Sequence, residues 1–238
     1  MESTCVHKHL HKGRLIIMEI QIVEKTDFTM RLIIRGVKAP FVNALRRIML
    51  SEVPTMAIED VVIIENSSVI HDEILANRLG FIPLKTDLDS YNLPEECPCK
   101  SEFGCNLCRV ALTLEAEATD EITSVYSGDL QSENPDIAPT SDKILIAKLA
   151  PGQKIKLEAY ARLGKGEVHS KWQPVSTCAY EFLPQTETGK QHGDAFILNI
   201  ESTGALPVER ILLEAVNILD KRFETFSKQS KGIKNEAG

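Results

Sequence analysis

Cys97, Cys99, Cys105 and Cys108 fall within twelve residues in the pattern C-x-C-x5-C-x2-C. Four thiolates this close can converge on one ion, and Zn²⁺ accepts tetrahedral coordination by four cysteines without bringing redox chemistry. Iron–sulfur clusters also use four cysteines, at other usual spacings. An empty or partly oxidised site, or two local disulfides, complete the alternatives, and a reducing compartment disfavours the disulfides. Four protein ligands leave no open position for a catalytic water. A metal here is therefore structural, tying down a loop that cannot hold itself. Cys5 and Cys178 have no neighbouring ligand set.

Other chemistry-bearing residues have plainer explanations. His7, His9 and His11 offer an i, i+2, i+4 set, but a disordered polar tail accounts for them. His71-Asp72-Glu73 places polar groups together, and Asp72 as a helix cap explains that. Gly164-Lys165-Gly166 resembles a phosphate-binding turn, yet no helix follows it to present backbone amides, so it reads as a tight turn. Trp172 reads as a buried ring with its N–H satisfied, beside a packed His169. There is no G-x-x-x-x-G-K-[ST] loop, no G-x-S-x-G elbow and no D-x-D-x-D magnesium triad. The isolated chain therefore presents no active site of its own.

The elements that must position these residues come from 238 residues, enough for one large domain or two small ones. Charged residues make up 26% and hydrophobic residues 43%, the balance of a globular protein that buries a core without disulfides. A net charge of -7 argues against a direct grip on nucleic acid, which comes mainly from Lys and Arg neutralising phosphates. No apolar run reaches the length of a membrane span, and Leu15-Ile16-Ile17 is too short for a signal peptide, so the chain reads as cytoplasmic.

Residues 1–17 lack periodicity and read as a disordered extension, with Met18 as the structural start and a candidate translation start. Met18 to Ile22 and Thr29 to Arg35 alternate as strands. Phe41, Ala44, Leu45, Ile48 and Met49 recur at helical spacing between Pro40 and Leu50. Ile58 to Glu65 is a strand, and a short helix runs from Asp72 to Leu79, with Gly80 at its C′ position. Residues 84–108 form the cysteine loop. Strands resume at Val110–Ala116, Lys143–Leu149 and Lys154–Leu163, with turns over 120–142. A polar connector covers 184–194 and a last strand Ala195–Glu201. Pro207 opens a helix to about Phe226, followed by a polar tail over 229–238. Its apolar stripe (Val208, Ile211, Leu212, Ala215, Val216, Leu219, Phe223, Phe226) is wider than one packed face needs.

Four segments carry a resemblance to a known family. Phe41 to Pro54 (FVNALRRIMLSEVP) closely resembles the first-helix signature of the bacterial RNA polymerase alpha subunit. It is equally similar to the third-largest subunit of eukaryotic RNA polymerase II and to its archaeal counterpart, the D subunit. Asp72 to Leu84, Gly164 to Val175, and Glu201 to Gly204 with the helix beyond match further elements, in the family's order, from about Met18 to Phe226. The resemblance implies an α+β fold. Its dimerisation domain is discontinuous (18–53 and 191–228, a sheet plus two helices), and a mostly-β inserted domain (54–190) interrupts it. It implies a scaffolding role in DNA-directed RNA polymerase. The chain would pair with a small alpha-like subunit L, dock small subunits N and P, and recruit the large beta-like and beta-prime-like subunits.

In that reading, Phe41, Leu45, Ile48, Leu212, Leu219 and Phe223 face the small partner, and Arg46, Arg47 and Arg78 contact a large subunit. The cysteine loop resembles the zinc loop of the eukaryotic relative, with a longer middle spacer. The iron–sulfur insert of some archaeal members is not expected, since only Cys178 follows Cys108. The alternative is a free-standing zinc or redox protein using Cys97 to Cys108.

Overall fold

The computed structural model describes residues 5–11, 14–183 and 194–236, with side chains over 18–183 and 194–231. The side chains of Cys5, His7, His9 and His11, and residues 184–193 of the polar connector, lie outside these. In chain order the strands are β1 (Cys5–His11), β2 (Arg14–Lys25), β3 (Thr29–Arg35), β4 (Thr55–Asn66), β5 (Val110–Glu117) and β6 (Thr123–Tyr126). They continue as β7 (Gln131–Ser132), β8 (Leu145–Leu149), β9 (Lys154–Gly164), β10 (Val175–Phe182) and β11 (Ala195–Ser202). Three helices accompany them, α1 (Ala39–Ser51), α2 (Asp72–Gly80) and α3 (Val208–Glu236). The protein is α+β, and among the described residues no helix is long and apolar enough to cross a membrane.

Two compact units share the chain. The first gathers the chain up to Val53, Pro174–Thr203 and everything from Pro207, and the second holds Pro54–Gln173 with Gly204–Leu206. The first is built on the sheet β1-β2-β3-β11-β10. Met30, Leu32 and Ile34 of β3 lie opposite Ile200, Leu198 and Phe196 of β11, and all six are buried. Alternation with period two puts the β3 residues on one face. Both α1 and α3 pack against this sheet and against each other. They bury Val42, Leu45, Ile48 and Met49 from α1, and Val208, Ile211 and Ala215 from α3.

Three boundaries differ from the sequence expectation. The chain returns to the first unit at Pro174, ahead of residue 191, because β10 pairs antiparallel with β11. As an edge strand β10 faces mostly solvent and has no clean apolar alternation, so its residues carry no strand signal. Within the extension expected to be disordered, β1 pairs with β2 from Cys5↔Ile20 to His11↔Arg14, and β2 starts at Arg14 rather than Met18. Backbone ladders need no apolar pattern. Finally, α3 continues through the expected tail to Glu236, since Lys, Gln and Glu sustain a helix without packing.

The second unit holds the sheet β4-β9-β5-β7, the pair β6-β8 and α2. Residues 120–142, expected as turns, thus contribute β6 and β7. Ile155, Leu157, Ala159, Ala161 and Leu163 alternate into its core from β9. Met56 and Ile58 of β4, Leu112 and Leu114 of β5, and Leu75 and Leu79 of α2 complete it. Asp72 is the first helical residue and caps nothing: His71 holds the cap position, and the Asp72 carboxylate accepts from Asn66 Nδ2 at 2.7 Å. Gly80 is the last helical residue, and Phe81 follows as the cap.

Trp172 closes this unit. Its ring lies on Gly164, where an added Cβ would come within 2.3 Å of it. Its Nε1–H donates to the Arg162 carbonyl at 3.2 Å, and its own carbonyl accepts from Thr55 Oγ1 at 2.8 Å. Lys171 Nζ stands 4.5 Å over the ring and pairs with Glu59, which also receives Arg162 Nη2 at 2.6 Å. Burial pushes the Glu59 carboxyl up, but Lys171 and Arg162 outweigh it and hold the group below its ordinary value. A depressed carboxylate stabilises fully above its unfolded-state pKa, and the stabilisation is lost as pH falls through the folded value.

Gly164→Ala is expected to destabilise this unit by about 1–3 kcal/mol, read as a lowered denaturant midpoint. Glu59→Gln should cost about 1–2 kcal/mol at pH 7. That gap from the parent chain should close on acidification below about pH 4, as urea titrations at several pH values would record.

Candidate metal centre and partner surface

Two tight turns bring the four sulfurs together. In the first, Lys100 N donates to the Cys97 carbonyl at 3.3 Å, with Lys100 at φ 48°. In the second, the amides of Cys108 and Arg109 both donate to the Cys105 carbonyl at 2.9 Å. Gly104 links the turns at φ +77°, and a Cβ there would press on Cys108 Sγ at 3.2 Å, so only glycine suits this position. Asn92 N donates to the Leu107 carbonyl at 2.9 Å, closing the base of the loop. Arg109 lies 4.1 Å over the Tyr160 ring and ties the exit to β9.

The Sγ atoms of Cys97 and Cys105 are 3.7 Å apart, and those of Cys99–Cys108 and Cys105–Cys108 are 3.9 Å apart. All four lie within 4.8 Å of one another. A disulfide needs about 2.05 Å, and none of these pairs is bonded. Thiolates about 2.3 Å from a tetrahedral Zn²⁺ stand about 3.8 Å from each other. The donor set therefore fits a metal ion, which Cys97, Cys99, Cys105 and Cys108 would hold in a closed, non-catalytic site.

The thiols differ in protonation. The Cys99 amide favours the Cys97 thiolate, but burial and the three neighbouring sulfurs overcome it and push the group up to about 12. The Ser101 amide, then Cys97, draws Cys99 down to about 7. Burial raises Cys108. Cys178, away from this set on β10, is pushed up to about 11 by burial against the opposing charge of Arg46. It is a packed thiol.

The residues expected at a partner surface separate. Leu45 and Ile48 are each 3% exposed, covered by side chains of their own unit. Phe41, Leu212 and Leu219 are half-buried, and Phe223 is 62% exposed. Arg46 donates to Asn43 Oδ1, Arg47 is exposed, and Arg78 Nη1 donates to the Ile146 carbonyl at 3.0 Å. Leu213, absent from the expected stripe, joins Val216, Phe223 and Phe226 as exposed apolar side chains along one face of α3. Helical spacing carried that signal. The 29-residue helix is about 43 Å long, yet Ala215 is the last buried residue among its described side chains. Arg222 Nη2 to Glu52 Oε2, at 2.6 Å, anchors it beyond that point to the end of α1.

The four-thiol set and the exposed apolar side chains of the long helix are the two surface features that stand out in this chain. The model of the RNA polymerase Rpb3/Rpb11 dimerisation domain matches residues 31–223. The chain is 46% identical over 172 residues to DNA-directed RNA polymerase subunit Rpo3 of Methanosphaera stadtmanae, covering 71% of this chain and 63% of that protein. It thus spans less than two thirds of that relative's length. It is 33% identical over 259 residues to the Archaeoglobus fulgidus Rpo3, covering 88% and 97%, and 38% identical over 216 residues to that of Pyrococcus horikoshii, covering 88% and 79%. The chain belongs to the RNA polymerase Rpb3/Rpb11 dimerisation-domain family. The free-standing zinc or redox protein is not favoured by this membership.

The purified chain is expected to take up one equivalent of Co²⁺ with intense sulfur-to-metal charge-transfer absorption. Cys108→Ser, which removes a buried ligand, should abolish stoichiometric uptake, as titration followed by absorption would record.

Proposed function

We propose that the chain is a non-catalytic assembly subunit of a multisubunit DNA-directed RNA polymerase, corresponding to the archaeal D subunit. The observation that carries this is the exposed apolar face of α3. Apolar area left in water is costly, and a patch this long on an otherwise charged helix marks a contact with another chain. In this reading the first unit is the dimerisation domain and the second is inserted into it. Leu213, Val216, Phe223 and Phe226, with half-buried Phe41, Leu212 and Leu219, meet a small alpha-like subunit L. The pair then docks small subunits N and P and recruits the beta-like and beta-prime-like subunits, with Arg46, Arg47 and Arg78 offering planar donors to a large partner. The metal in the cysteine loop is Zn²⁺, favoured by the all-sulfur tetrahedral donor set. The assembly works in the cytoplasm, without a direct hold on nucleic acid by this chain.

Native purification of the tagged chain, with mass spectrometry and a DNA-templated RNA synthesis assay, tests the reading. Two very large chains, one small alpha-like chain and activity should be recovered together. Phe223→Asp should remove the small partner while leaving the thermal midpoint unchanged, because the side chain is 62% exposed and supports little of the fold. Recovery of the chain alone, inactive, rejects the assembly role.

A further inference from the structure

Val208, Ile211 and Ala215 recur at helical spacing on α3, and all three are buried. The same row continues through Ile218, which is half-buried, to Arg222. An arginine therefore stands where one more apolar residue would carry the helix along the core. The uncovered side chains of Leu213, Val216 and Phe223 follow another row, about 100° or more around the helix from Arg222.

Arg222 has a defined partner. Its Nη2 lies 2.6 Å from Glu52 Oε2. Glu52 is the residue that caps the end of α1, and its amide donates to the Ile48 carbonyl at 2.9 Å. A carboxylate there faces the negative end of the helix dipole, and α1 has no basic side chain in its last turn to offset it. The Glu52 side chain is only 14% exposed, so solvent ions screen it weakly. On its own helix Arg222 meets no competing acid, since Ile218, Leu219, Thr225 and Phe226 occupy the positions three and four away. Little else holds this stretch. None of the described side chains beyond Ala215 is fully buried, and a helix without packing is marginal in water. Phe223 and Phe226 lie in that stretch, so their direction depends on where the helix is pinned.

We propose that the Glu52–Arg222 pair is a latch that positions the outer half of α3 and so sets the orientation in which Phe223 and Phe226 meet the small partner chain. Arg222 is a positioning residue: it acts through the helix and need not touch the partner. With the latch open only a fraction of molecules presents the face correctly, and the apparent Kd rises in inverse proportion to that fraction. The proposal rests on the assembly reading for its partner and adds the residues that aim the surface.

The test compares the full chain with Arg222→Ala, with Glu52→Gln and with the exchanged pair Glu52→Arg plus Arg222→Glu. The exchange keeps opposite charges together and places the cation at the end of α1. In the free chain, amide hydrogen exchange over residues 216–231 should speed up roughly tenfold in each single variant and slow again in the exchanged pair, with β3 and β11 unaffected. The small chain recovered in the native purification is then titrated against each protein. It should bind each single variant roughly tenfold more weakly and regain affinity for the exchanged pair. The thermal midpoint should stay near that of the parent, because an ion pair open to water on one side supports little of the global fold. Unchanged exchange over 216–231 overturns the latch, as does unchanged affinity in the single variants or failure of the exchanged pair to restore it. A midpoint that falls in step with affinity marks a merely structural pair and also overturns the positioning role. In each of these cases an intact polymerase leaves the assembly reading standing. An unsubstituted chain that retains no small partner sinks both.

Discussion

The antiparallel ladder between β3 and β11 is the contact on which the first unit depends. Arg35 and Ala195, about 160 positions apart, begin it, and Leu32 against Leu198 lies at its centre. Closing a flexible loop of that length costs about 4–5 kcal/mol. The inserted unit lowers this cost when it folds first. Thr55, near its start, and Trp172, near its end, share a hydrogen bond, so the folded insert delivers its two ends side by side. The segments that must pair are then separated by about 40 residues of chain instead of about 160, which lowers the closure cost by about 1 kcal/mol. Without the ladder, α1 and α3 have no common floor.

The cysteine loop solves a different problem by different means. Residues 84–108 include little regular structure and few buried side chains beyond Cys97 and Cys108. Apolar burial cannot hold such a segment, so turn geometry does. Gly104 admits the close approach of a sulfur, paired amides grip the Cys105 carbonyl, and Arg109 fastens the exit on Tyr160. The sulfurs arrive at tetrahedral spacing because the backbone has already been bent to put them there.

Much of this was legible in the residues. Alternation in β3 and β9, the spacing of α1 and the four-cysteine set each carry a strong local signal. What was hidden depends on long-range partners. β10 is a mostly polar edge strand with meaning only beside β11. Leu45 and Ile48 sit on a signature helix, yet only the packed sheet reveals that they face inward. The Lys171–Glu59–Arg162 group joins residues about 100 positions apart, and no spacing rule finds it. Gly164 reads as part of a turn, whereas its lack of a side chain serves the Trp172 ring.

The uncovered face of α3 also bears on how much of this protein a cell can hold. Leu213, Val216, Phe223 and Phe226 remain in water whenever no other chain lies over them. Chaperones and proteases recognise exposed apolar surface of this kind. On the assembly role proposed above, copies made in excess of a partner are expected to be the first removed, so the helix itself would match the chain's abundance to that of the chain covering it.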